Sequence, residues 1–279
     1  MELFLDPFQK MTNTLLIAGV VFGTLAVIVK RTRLLESMLR GRREFTTNLG
    51  LTFINLVILA PFFALPDGAI REFLGMGERF APFWEGVPDI LTLIAALMAF
   101  DFVIYWRHRF EHTPLLWRIH ATHHADTALS WLSVMRKHPL SKLLGTLVDL
   151  SLLLLLGLPE WAIGGAGLIT AFWGFFVHCD VPWTLGLFGR WFISPAAHRL
   201  HHIRDERLMG TNFGNTLTLW DRVFGTYCDP KPYLNCETGI EEGTRGLGGE
   251  LLRPFEKRYW TRAKAAAADP VAEDSKATV

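Results

Sequence analysis

Residues 90–124 read ILTLIAALMAFDFVIYWRHRFEHTPLLWRIHATHH. From 90 to 106 the only charge is Asp101. The apolar run then passes unbroken into His108-Arg109-Phe110-Glu111-His112, and Pro114 stops the helix two residues later. A spanning helix needs about 20 apolar residues, with a lower limit of about 17. The stretch therefore predicts a membrane helix that leaves the bilayer carrying two imidazoles four apart, on one face. A short step then reaches His120-Ala121-Thr122-His123-His124, where the spacings are three and four.

Four further apolar runs flank this one, at 13–29, 49–65, 143–158 and 161–177, the last two split by Pro159 and Glu160. All are near the lower limit for a span, so the last pair is either two spans or a shallow hairpin. The expectation is an all-α integral membrane protein of four to five membrane helices. The first run is followed by Lys30, Arg31 and Arg33 without a small-residue cleavage pattern, unlike a signal peptide. With 279 residues, 50% of them hydrophobic, one folding unit is expected. It divides into membrane helices and loops at 1–100, a histidine-bearing region at 101–230 and a C-terminal segment at 231–279. The Ala-rich tail from Thr261 is expected to be disordered. A net charge of +1 argues against nucleic acid as a partner. Lys30, Arg31, Arg33, Arg40, Arg42 and Arg43 follow the first run, and Arg107, Arg109, Arg118, Arg136, Lys137 and Lys142 follow the third. The loop around 67–88 is acidic. The positive-inside rule puts the histidines, in a helical cap, on the cytoplasmic face. Cys179, Cys228 and Cys236 fall on that side, so reduced thiols are expected.

Eight of the ten histidines form three clusters: His108 and His112; His120, His123 and His124; and His198, His201 and His202. His138 and His178 stand alone. Imidazole is a ligand for Zn, Cu, Fe and Ni. One zinc takes three or four ligands, so eight to ten histidines exceed one ion and suffice for two. All-nitrogen ligation in a reducing compartment fits two iron ions handling O2, although zinc can occupy the same ligands in a purified sample. Asp101 lies seven residues before His108 on the same helical face. Ligand imidazoles usually donate their second N–H to a carboxylate or carbonyl, and Asp101 is a candidate for that acceptor. The alternative is a carboxylate reaching for the interface.

In order, these elements resemble the fatty acid hydroxylase / sterol desaturase superfamily from about Asp101 to Tyr227. Asp101…Tyr105-Trp106-Arg107-His108-Arg109 is similar to its D-x3-Y-W-x-H-R. Arg136-Lys137-His138-Pro139-Leu140 is similar to R-x-H-P-L-E, with Ser141 where Glu is usual. Phe176-Val177-His178 resembles the lone-histidine element. Ser194-Pro195-Ala196-Ala197-His198 opens the last box, and Asn212-Phe213-Gly214-Asn215 with 219–227 resembles the closing segment. The resemblance implies that the clustered histidines are ligands, joined by His178 and His138. It also implies O2-dependent hydroxylation or desaturation of a lipid or sterol-like substrate drawn from the bilayer. No histidine is spare for haem, so electrons are expected from a separate reductase, ferredoxin or cytochrome b5-type donor. A rival reading is a His-rich metal transporter or metal-binding protein. Transporters carry polar ligands at the bilayer midplane, whereas these runs hold little beyond Asn55, Asp101 and Asp149.

Overall fold

The computed structural model describes residues 2–31, 34–60, 62 and 82–260. Among these the chain is helical, with two isolated bridges, Phe192 to Leu217 and Ile203 to Thr238, as its only β pairing. Among the described residues, three helices are long and apolar enough to cross a bilayer: Leu5–Lys30, Asp89–Glu111 and Glu160–Val177. Only 11% of the most apolar window of the first is buried. Leu16, Ile17, Val20 and Ile28 stand exposed on it, a surface suited to lipid rather than water.

The second and third spans lie against each other through small residues. Ala162, Ala166, Thr170 and Gly174 recur every fourth position on the buried face of Glu160–Val177. Ala96 of the Asp89–Glu111 helix is fully buried in the same cluster as Ala162 and Ala166. Small side chains let two helix backbones approach closely where lipid supplies no hydrophobic drive. Gly165 is part of that approach, since a Cβ there would sit 3.0 Å from Leu93 Cδ1.

The run at 143–158 appears as the helix Pro139–Leu155, which is 17 residues long. It starts four residues early because Pro139 suits the first helical position and His138 caps the end, its Nδ1 accepting the Leu140 N–H at 3.1 Å. The run at 49–65 begins as the end of the Arg42–Phe53 helix and continues through a π turn at Ile54–Ile58. Residues 61 and 63–65 of that run, most of the 67–88 loop and the tail from Thr261 lie outside the described residues.

Two shorter helices carry the remaining boxes. Pro114–His124 opens on Pro114. Pro195–His201 is capped by Ser194, whose hydroxyl accepts the Ala197 N–H at 3.1 Å. Trp117, Ala121, Leu200, Ile203, Ile240 and Tyr259 form the core between them. Part of the C-terminal segment is thus built into the histidine-bearing region.

Candidate metal centre

Nine of the ten histidines converge in two groups. His108, His112, His120, His124 and His201 form one, and His123, His178, His198 and His202 the other; within each, the ligand atoms lie within 4.8 Å of one another. Helical spacing explains the sorting. Partners four apart stay together (108 with 112, 120 with 124, 198 with 202), because they lie nearly one above the other. The residue three along turns to the other group, so the neighbours His123 and His124 separate, as do His201 and His202.

Hydrogen bonds decide what these rings can do. His108 Nδ1 lies 2.9 Å from the Phe213 carbonyl, and His201 Nδ1 lies 2.7 Å from that of Thr211. A carbonyl only accepts, so each Nδ1 carries the proton and each neutral ring keeps a bare lone pair on Nε2. Those two Nε2 atoms face each other at 3.0 Å. In the second group His178 Nδ1 meets the Gly174 carbonyl at 2.7 Å, and His123 Nδ1 meets that of Arg136 at 3.3 Å. Their Nε2 atoms are 3.4 Å apart. Lone pairs aimed at one another repel unless a cation lies between them. With metal–imidazole bonds of about 2.0–2.1 Å, donors so spaced fit around an ion. Both ring nitrogens of His202 are buried without a hydrogen-bond partner among the described residues, as is Nδ1 of His198 and of His124.

Burial, then neighbouring imidazoles, lowers the pKa of His120, His123, His124, His198 and His202 well below the usual value. Burial brings His201 down to about 4 and His178 to about 3. The rings are therefore neutral at physiological pH, the form that binds metals.

His138 belongs to neither group. Its Nε2 faces the Leu251 carbonyl at 3.1 Å while its Nδ1 caps a helix, so both nitrogens are engaged with backbone. Asp101 does not reach His108. Its oxygens accept the N–H groups of Thr216 at 2.8 Å and Leu217 at 3.1 Å. It acts one step back, by anchoring the segment that presents the Phe213 carbonyl. Asp221 holds the same segment from the other end, accepting the N–H groups of Phe213 and Gly214, each at 2.8 Å. Gly214 must be glycine, since a Cβ would fall 2.4 Å from the Leu217 carbonyl oxygen.

Several supporting residues escaped the sequence reading. Glu111 Oε2 lies 3.4 Å from His120 Nδ1 and accepts from Arg107 at 2.9 Å. Ser141, in the place where the motif usually has Glu, donates to Glu111 Oε1 at 2.7 Å. A carboxylate thus occupies this corner, delivered by the first box; its position between two candidate ligands was the available signal. Arg136 is fully buried and bonds Thr122 O, Asn48, Thr244 and Glu250. The backbone carbonyls leave no mark in sequence at all.

The fatty acid hydroxylase family model matches residues 93–226. An ornithine lipid hydroxylase of Rhizobium tropici is 31% identical over 63% of this chain and 54% of its own length. Human alkylglycerol monooxygenase is 28% identical over 49% of this chain and 30% of its own. For human lathosterol oxidase the identity is 24%, over 74% and 67%. The chain thus spans about half or less of the first two relatives. No solved structure matches. The matched stretch runs from the second span to the closing segment and includes all nine converging histidines, so over this region the chain is similar to the fatty acid hydroxylase family.

Proposed function

We propose that this protein is a membrane-bound oxidoreductase that uses O2 to hydroxylate or desaturate a lipid or sterol-like substrate at two iron ions. The observation that carries the reading is the pair of histidine groups whose carbonyl partners leave Nε2 lone pairs converging. Bound iron would supply the redox chemistry with O2. His108, His112, His120, His124 and His201 would hold one ion, and His123, His178, His198 and His202 the other. The carbonyls of Phe213, Thr211, Gly174 and Arg136 keep four of these rings in the ligating tautomer. Neighbouring helices exclude water from the rings, eight of which are buried. Electrons come from a separate reductase, ferredoxin or cytochrome b5-type donor. The proposal includes a count of four to five spans and a metal site on the cytoplasmic face, supported by the basic residues after the first and third runs.

Protein expressed in iron-replete cells should hold about two metal ions per chain, iron and zinc counted together. A value near zero in well-folded protein overturns the reading. Comparative lipid analysis of cells with and without the gene should show one oxidised lipid class depending on it. An ornithine lipid is the first substrate to assay, since the relative at 31% identity is named for it. For orientation, Cys228 should stay unlabelled by an impermeant maleimide in intact cells and react once the membrane is opened.

A further inference from the structure

A cavity of about 260 Å³ opens where the Asp89–Glu111, Pro139–Leu155 and Glu160–Val177 helices meet. Arg107, Lys137 and Lys142 line it together with a single carboxylate, Asp149. Arg107 is fully engaged: it makes two bonds to Asp149, at 2.7 and 3.1 Å, and one to Glu111, at 2.9 Å. The ammonium groups of Lys137 and Lys142 make no hydrogen bond or ion pair among the described residues, although both residues are half-buried. Counting Glu111 behind the wall, three cations face two carboxylates, and both carboxylates are committed to the guanidinium. Two half-buried ammonium groups without partners are costly, and an anion between them offsets that cost.

The other wall identifies the source of the anion. Phe100, Leu150, Leu153 and Ile163 form its apolar side, with Ser141, Gly145 and Thr146 between the two walls, and Phe100 and Ile163 belong to the spanning helices. One side therefore suits a charged oxyacid and the other the start of an acyl chain. The cavity also lies behind the metal centre. His120 turns its Nδ1 towards Glu111 and its Nε2 towards His124. No histidine lines the cavity, so a molecule in it is distinct from a substrate presented to the converging Nε2 atoms.

We propose that this cavity binds the phosphate headgroup of an anionic membrane lipid, with Lys137 and Lys142 as the phosphate contacts and the first methylenes of the lipid against Phe100, Leu153 and Ile163. Lysine suits this role as a mobile point charge that donates to phosphate oxygens. Arg107, which lines the cavity, is linked to His120 through Glu111.

The test uses the full chain in phosphatidylcholine nanodiscs, with and without phosphatidylglycerol, and measures the thermal unfolding midpoint. A ligand that binds only the folded state raises the midpoint; a rise of roughly 5 °C with phosphatidylglycerol is expected. The Lys137→Ala/Lys142→Ala double variant should fold, since neither lysine leaves a partner behind, and should lose the rise. If the double variant does not fold, Lys142→Gln alone should show a rise clearly smaller than wild type. No rise in wild type, or an undiminished rise in the variant used, overturns the proposal. An equal rise from inorganic phosphate in phosphatidylcholine discs also overturns it, by showing a site that needs no lipid. Metal content and turnover do not enter this readout, so its outcome is independent of the proposed reaction.

Discussion

His124 and His138 are both buried histidines, but their predicted behaviour differs. His124 Nε2 lies 3.1 Å from the Nε2 atoms of both His112 and His120. His124→Ala should abolish turnover and lower bound metal, both measured on the same preparation. His138→Ala removes a helix cap instead. It should keep full metal content and lose about 1 kcal/mol of stability, the usual worth of a cap. A His138→Ala protein with depleted metal would restore that residue to the ligand set. Asp101→Asn puts an amide where two backbone N–H groups need acceptors, so one of them is left facing an NH2 group. The Phe213 carbonyl then loosens from His108. A loss of about 10–100-fold in activity or metal affinity is expected, the usual effect of disturbing what orients a ligand, with the backbone fold retained. In sequence, lone His138 and lone His178 look alike. Only the chain folded around them shows that one faces imidazoles and the other the Leu251 carbonyl.

At the level of elements, the helix bearing His120, His123 and His124 is held from behind by charges far away in the chain. Glu250 accepts from Arg136 at 2.8 Å and from Arg253 at 2.7 and 2.9 Å, and all three side chains are fully buried. Glu250→Ala leaves two guanidiniums without their carboxylate. Breaking a buried pair from one side costs about 3–5 kcal/mol, so chemical unfolding in detergent should show a loss of that size. A change below about 1 kcal/mol, the scale of an exposed pair, would refute the clamp. The spanning helices and histidine boxes were legible because each is local: an apolar run, a spacing of three or four, a proline at a boundary. The clamp was not, since Arg136 and Glu250 are 114 positions apart and no periodicity links them. The early start of the Pro139–Leu155 helix was hidden for a related reason: hydrophobicity marks the buried length, whereas the cap sets the end.

For the whole molecule, the depressed histidines make metal-free stability depend on pH. In the unfolded chain each takes a proton near pH 6.5, while the folded protein holds His201 down to about 4 and His178 to about 3. Below about pH 6.5 the unfolded state therefore binds more protons, and stability falls as pH falls. The unfolding midpoint of chelated protein should drop steadily from about pH 7 to about pH 5; a flat profile would contradict the burial of neutral rings. A different constraint comes from His123 with His124 and His201 with His202, whose members turn to opposite groups. The two pockets are joined twice by a single peptide unit, across which Cα atoms are about 3.8 Å apart. Bond lengths thus bound their separation, and the side-chain rotamers set it within that bound. Helices can tilt and the bilayer can thin or thicken without changing that spacing much, so the chain carries its own ruler between the two pockets.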